Sequence, residues 1–187
     1  MKRVINLDNW NRKEHFKLSV TMTPGASIRL AAPTGLRFQT TVKSGNGIDA
    51  DEILNSTIVK TGTLITTLDL YRTNGNTLTK DSTYTVLDIA NDGWFNDGTK
   101  TETGKFCGSI IEIKKENYGR KFIAVGYATI NYSNGKSKTV CADVTENNAK
   151  SIAYVAEKVQ ASDKFSGYSP EQKDIINKYI KGEEISK

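Results

Sequence analysis

The chain has 187 residues, 37% of them hydrophobic and 25% charged, so it can bury one substantial core and is too balanced in composition for general disorder. Its net charge of +5 is concentrated in residues 1–17, which hold five basic and two acidic side chains and leave only +2 for the rest. No stretch approaches the ~18 apolar residues that a spanning helix needs, so we expect no membrane insertion.

Residues 18–46 have the pattern of β-structure. Apolar and polar residues alternate from 18 to 23, a period of two that is typical of a half-buried strand. The Pro24-Gly25 pair then predicts a turn. The pattern predicts three strands, at 18–23, 27–30 and 36–42.

The next section mixes a short helix with strands. Asp49 with Glu52 three residues later resembles a capping box and predicts a helix near 49–56. Residues 62–70 are rich in Thr and Leu and predict a strand, with a turn at Asn74-Gly75 after it. A further strand is expected at 84–89.

Residues 105–143 are expected to form a three-stranded antiparallel meander. The strands are predicted at 106–113, 121–132 and 137–144, and Asn134-Gly135 is a strong hairpin signal. The middle strand is apolar on both faces, which predicts that it is covered on both sides and lies inside its sheet.

The two cysteines can form at most one disulfide. A two-residue turn at Asn134-Gly135 pairs Cys141 with Ala128, and a turn near residue 117 places Cys107 opposite a residue near Tyr127. The cysteines would then flank the middle strand at ~10 Å, beyond the ~7 Å between Cα atoms that a disulfide allows. We therefore predict two free thiols.

Two helices are predicted at the end of the chain. Residues 147–161 carry one apolar stripe at helical spacing. Ser169-Pro170-Glu171-Gln172 is typical of a helix start, with Ser as N-cap, Pro in the first turn and Gln closing a capping box, and predicts a helix at 169–181. Both apolar faces need a partner, for which the sheets are the natural candidate.

The sequence offers few residues for catalysis. A nucleophilic triad would have to use His15, the only histidine, and no G-x-S-x-G motif supplies a serine. A zinc site would have to combine His15 with Cys107 and Cys141. These three N/S ligands are scattered along the chain, whereas zinc ligands usually occur in closely spaced pairs. No phosphate loop or EF-hand is complete. We expect no catalytic residue, metal or cofactor, although two acids would suffice for a glycosidase.

The segment 91–104 is the strongest candidate for recognition. It places an aromatic pair among short amides and carboxylates, which suits a sugar-binding platform. The candidate ligand-binding residues are Asp92, Trp94, Phe95, Asn96 and Asp97. The alternative is that the two aromatic side chains fill one end of the core, as large aromatic residues usually do.

A second cluster is basic. Lys114, Lys115, Arg120 and Lys121 flank an expected turn, so a solvated turn is favoured over phosphate contact. Nucleic acid is therefore not the expected partner, because binders usually carry a basic stripe interleaved with aromatic residues.

Two resemblances add to this interpretation. The strings GASIRLAAPTGLRFQTTV (25–42), GTLITTLDLY (62–71), FCGSIIEIKKENYGRKFIAVGYATINYSNGK (106–136) and ENNAKSIAYVA (146–156) resemble an uncharacterised repeated domain of secreted, multi-domain proteins of gut Firmicutes. That resemblance covers roughly residues 20–180 and implies display outside the cell. The string INLDNWNRKEHF (5–16) resembles the opening of chloramphenicol acetyltransferases, but their HHxxxDG motif is absent and His15 does not correspond to its histidine.

The fold class expected is mainly β with C-terminal α: an antiparallel β-sandwich, Ig-like or related. Residues 1–17 form a basic leader, and residues 18–187 form a single domain. The function expected is a non-catalytic binding or spacer module of a bacterial surface or secreted protein, with a glycan or protein partner. Because no signal peptide is found, the alternative is a cytoplasmic mobile-element or phage-encoded protein that inhibits a macromolecular partner. The oligomeric state stays open.

Overall fold

The structure, a computed structural model, describes residues 17–45, 58–92, 104–131 and 137–185. Within these ranges two antiparallel sheets pack face to face and most of the helix follows the last strand, which confirms the mainly β class with C-terminal α. An Ig-like topology remains a prediction. The short helix expected near 49–56 lies outside the described residues, as do residues 1–16 of the expected leader.

The described chain contains eight strands, β1 (Lys17–Met22), β2 (Ser27–Arg29), β3 (Gly35–Gly45), β4 (Ile58–Thr67), β5 (Leu87–Asp92), β6 (Lys105–Ile111), β7 (Phe122–Asn131) and β8 (Ser137–Cys141). It also contains three α-helices, α1 (Leu68–Thr73), α2 (Ile152–Gln160) and α3 (Pro170–Lys181), and three short 3-10 turns at Lys115–Asn117, Glu146–Asn148 and Asp163–Gly167. Sheet A holds β1, β2, β3 and β6, and sheet B has the order β5-β4-β7-β8. None of these helices is long and apolar enough to cross a membrane.

The turn expected at Pro24-Gly25 is a bulge. Both β1 and β2 run antiparallel to β3, so the chain keeps its direction between them. Met22 pairs with Thr40 and Ser27 with Arg37, so four residues of one strand face two of the other. The two strands are therefore one edge strand, interrupted where the left-handed φ of 89° at Gly25 turns the backbone out of the ladder.

The three-stranded meander expected over 105–143 is not present. β7 and β8 pair as predicted, but β6 pairs with β3 in sheet A. The place beside β7 is taken by β4, which pairs with it from Ile58 to Thr67. The connection after β6 therefore crosses from one sheet to the other.

β7 is an inner strand covered on both faces, as its sequence predicts. One face carries Ala124 and Ala128 into the interior between the sheets. The other face carries Val125 and Tyr127 into a second layer that includes α1 and Leu78. The strand is buried from Phe122 to Ala128, which explains why neither of its faces is polar.

The β7–β8 pairing differs by one residue from the register expected for a two-residue turn. Asn131 pairs with Ser137, and Cys141 therefore lies opposite Tyr127 instead of Ala128. Residues 132–136, which contain Asn134-Gly135, lie outside the described residues.

The strand expected at 62–70 ends at Thr67, where a helix begins. The Thr67 hydroxyl accepts a hydrogen bond from the Leu70 N–H and so acts as the N-cap of α1. Leu68 and Tyr71 then turn toward the outer face of sheet B. The turn predicted at Asn74-Gly75 follows directly.

The C-terminal helices close one end of the sandwich. Ile152 of α2 and Ile176 of α3 are fully buried among residues from both sheets. The Ser169 capping box is present with both reciprocal hydrogen bonds. α3 is also tied to the β2–β3 connection, because the Tyr179 hydroxyl donates to Thr34 Oγ1 at 2.8 Å.

Candidate functional site

A groove lies on the outer face of sheet A, beside the bulge at residues 23–26. It encloses about 330 Å³, at the lower end of the range of ~300–1,000 Å³ that is usual for small-molecule sites. We call it the bulge groove; its lining residues are Thr23, Pro24, Gly25, Ala26, Ser27, Arg37, Gln39 and Cys107.

The strand pairing explains why these side chains share one face. In β3, Leu36 and Phe38 point into the core, so Arg37 and Gln39 between them point outward. Cys107 is paired with Gln39 and shares its face. The bulge supplies a raised wall where a regular edge strand would have continued flat.

Two side-chain hydrogen bonds join the wall of the groove, residues 23–27, to its floor, which is formed by Arg37, Gln39 and Cys107. The Thr23 hydroxyl donates to Gln39 Oε1 at 3.0 Å, and Arg37 Nε donates to Ser27 Oγ at 3.1 Å. The backbone N–H of Thr23 also donates to the Gln39 carbonyl at 2.9 Å. These bonds position guanidinium, amide and hydroxyl groups around one concavity, which suits a ligand rich in hydrogen-bonding groups.

The strands of sheet A are strongly basic. They contain five Lys or Arg residues and no Asp or Glu, whereas the strands of sheet B contain two of each sign. Register and side-chain orientation place Arg29, Arg37, Lys43 and Lys105 on the outer face. The strands around the groove therefore carry basic and no acidic side chains.

Sheet B carries a different polar cluster, on the face away from sheet A. The hydroxyl of Tyr127 donates to Asp88 Oδ1 at 2.7 Å, and Lys80 Nζ lies 3.2 Å from both this hydroxyl and Asp88 Oδ2. The Lys80 ammonium also stands 4.4 Å from the Tyr127 ring centroid. Burial, followed by the hydrogen bond to Asp88, raises the pKa of Tyr127.

This cluster fastens a connection to the sheet. The Tyr127 side chain is fully buried and lies over Gly62, where a Cβ would overlap its ring. Lys80 belongs to the connection between α1 and β5, and its contacts bind that connection to sheet B. We therefore regard the cluster as structural.

The aromatic platform predicted from the sequence is not part of the groove that the structure describes. The backbone of Asp92 closes β5 opposite Lys60, at the end of the sandwich away from α2 and α3. Trp94, Phe95, Asn96 and Asp97 lie outside the described residues, and so does His15. Their role stays a prediction.

The two cysteines are free and lie on different sheets. Cys107 is 5% exposed at the floor of the bulge groove, whereas Cys141 lies beside Tyr127 on the edge strand of sheet B. Burial raises the pKa of the Cys141 thiol. The predicted position of Cys107 beside β7 is wrong, because β6 belongs to the other sheet.

The basic cluster predicted around residues 114–121 is solvated. Lys114, Lys115, Arg120 and Lys121 are all exposed around the 3-10 turn at Lys115–Asn117. Arg120 lies 3.9 Å from the carboxylate of Asp69. In the described residues no group of three or more His, Cys, Asp or Glu side chains is placed to hold a metal ion.

Sequence reasoning missed Arg37 and Gln39 because they look like ordinary outward positions of an amphipathic strand. One available signal was the absence of acidic residues from four segments that together supply sheet A. This absence can be recognised as a property of one sheet only when β6 is known to pair with β3.

The chain matches no protein-family model, no curated protein and no solved structure.

Proposed function

We propose that this protein is a non-catalytic binding module that recognises a polar, hydroxyl-rich ligand such as a carbohydrate chain in the bulge groove. The observation that carries the proposal is the convergence of Thr23, Ser27, Arg37 and Gln39 on one concavity of about 330 Å³. A β-bulge is a common device for aiming side chains at a site. The fold alone does not specify the activity, since sandwiches host many functions.

The shape of the groove supports a chain-like ligand over an enclosed small molecule. Its wall is exposed at Thr23, Pro24 and Ser27, and its floor continues onto an outer sheet face that carries Thr41 and Ser109. A ligand can therefore occupy the concavity with one unit and extend along the sheet with others.

We propose display outside the cell, as the resemblance to domains of secreted proteins implies.

A glycan array screened with the wild-type protein and with Gln39→Ala tests the proposal. Gln39 carries the contact between wall and floor, so its loss should weaken binding of any array ligand at least severalfold. Gln160→Ala is a matched control, because Gln160 makes a comparable surface hydrogen bond, to Asn177 Oδ1 at 2.7 Å, on α2. Thermal unfolding of each variant separates lost recognition from lost folding.

Two results would contradict the proposal. Absence of binding to every glycan by the wild-type protein would leave a spacer role. Binding that is abolished by Trp94→Ala and unchanged by Gln39→Ala would assign recognition to the 91–104 segment and remove the groove from it.

A further inference from the structure

We infer that the ligand of the bulge groove is an acidic carbohydrate, whose carboxylate or sulfate group pairs with Arg37; this rests on the proposed function. The distribution of charge and of aromatic residues over sheet A supports this class of ligand.

The charge on sheet A is unbalanced within its own strands. Five basic residues occur in β1, β2, β3 and β6 without any acidic residue. The strands of sheet B, in contrast, contain two basic and two acidic residues. A neutral ligand would gain nothing from these charges, whereas basic side chains attract an anionic polymer.

The chemistry of the groove agrees with an anion at its centre. Arg37 lies on the middle strand of the sheet and lines the groove. Arg29 and Lys105 lie on the same face farther along the neighbouring strands, where they pair with Gly35 and Thr41. A guanidinium is planar and forms paired hydrogen bonds with carboxylate and sulfate oxygens. Its Nε–H already donates to Ser27, which fixes the plane of the guanidinium group toward the groove.

The outer face of sheet A also lacks what a neutral sugar site usually needs. No outward-facing residue of the described strands of sheet A is Trp, Tyr or Phe, since Phe38 and Phe106 both point into the core. A sugar ring without an acidic group would therefore find hydrogen bonds but no aromatic surface. The same deficiency argues against single-stranded nucleic acid, whose binding relies on base stacking against aromatic side chains.

Matched pairs of polymers test the inference by affinity electrophoresis or calorimetry. Polygalacturonate is compared with its fully methyl-esterified form, which has the same backbone without the charge, and dextran sulfate is compared with dextran. We expect the acidic member of at least one pair to bind at least about tenfold more tightly, since a charge-assisted hydrogen bond is worth about this factor. The preferred pair distinguishes a carboxylate from a sulfate ligand.

Substitutions locate the charge that matters. Arg37→Gln should weaken binding of the acidic polymer about tenfold, and Arg37→Lys should restore part of it by keeping the charge without the planar fork. Lys138→Gln is the matched control, because it removes an exposed positive charge from β8 in sheet B. Equal losses from Arg37→Gln and Lys138→Gln would overturn the inference, since they would indicate a general charge effect.

The remaining outcomes separate this inference from the function on which it rests. Equal binding of the acidic and neutral polymers, abolished by Gln39→Ala, would overturn the acidic ligand and leave the binding module. Binding of a single-stranded oligonucleotide as tight as that of the acidic polysaccharides would also overturn it. Absence of binding to every polysaccharide tested would contradict both the acidic ligand and the proposed binding function.

Discussion

Gly126 of β7 lies directly against Thr40 of β3, across the interior between the two sheets. A Cβ built on Gly126 would come within 2.6 Å of the Thr40 Cβ, far inside van der Waals contact. The Met22 sulfur lies in the same place, 3.0 Å from the Gly126 nitrogen and 3.3 Å from Thr40 Oγ1. A single hydrogen atom at position 126 thus sets the distance between the sheets at this point.

Gly126→Ala should therefore destabilise the fold by about 1–3 kcal/mol, the usual cost of overpacking a well-packed core. Chemical denaturation measures the change. Gly119→Ala is the control, because a Cβ at Gly119 would meet no atom within 4 Å. An unchanged midpoint for Gly126→Ala would contradict the close approach of the sheets.

A second prediction concerns alkaline pH. The unfolded chain releases the Tyr127 proton near pH 10, whereas the raised pKa of the buried phenol retains it in the folded protein. Unfolding then releases a proton, so the free energy of unfolding should fall as the pH rises above about 10. Below pH 10 this group contributes no pH dependence.

Denaturation at several pH values, followed by tyrosinate absorbance, measures this effect. Tyr127→Phe should make the decline with pH shallower, because it removes the proton concerned. An identical slope in the variant and the wild type would show that Tyr127 is not protected from ionisation. Tyr154→Phe is the control, since Tyr154 is 43% exposed.

The thiols provide a third prediction. Cys107 is buried and Cys141 is half-buried with a raised pKa, so both should react slowly with a disulfide reagent in the native state and rapidly after unfolding. In denaturant without reductant, the reagent should titrate two thiols per chain. A mass that increases by two hydrogens on reduction would instead indicate a 107–141 bridge and contradict the separation of the two strands.

A fourth prediction concerns the N-cap of α3, Ser169. Ser169→Ala removes the hydroxyl that accepts from the Gln172 N–H and should cost about 0.5–2 kcal/mol of stability. Ser166→Ala is a suitable control, because its hydroxyl also makes a surface hydrogen bond, to the Asp163 carbonyl, but caps no α-helix. Equal effects of the two substitutions would mean that the cap adds nothing beyond an ordinary hydrogen bond.

Local signals were enough for several elements. The capping box at Ser169 was predicted because its residue types and spacing are sufficient to form it. β7 was predicted as an inner strand because a strand with two apolar faces must be covered twice. Both predictions depend only on residues within the element itself.

Long-range pairing was beyond such signals. Residues 106–111 have an apolar face that either sheet can bury, so their sequence does not decide between β7 and β3 as partner. Pro24-Gly25 is compatible with a reversal or with a bulge, and the choice depends on how β2 pairs with β3. The bulge groove follows from that choice, which is why its residues attracted no notice in the sequence.

The bulge has a consequence for solubility. Within the described chain, β1 and β2 pair only with β3, so they form an open margin to which a strand from another molecule could add. Pro24 has no N–H to donate to such a strand. The bulge at residues 23–26 also divides the edge into two short strands, β1 with six residues and β2 with three. The feature that shapes the groove therefore also interrupts the template for edge-to-edge aggregation between molecules.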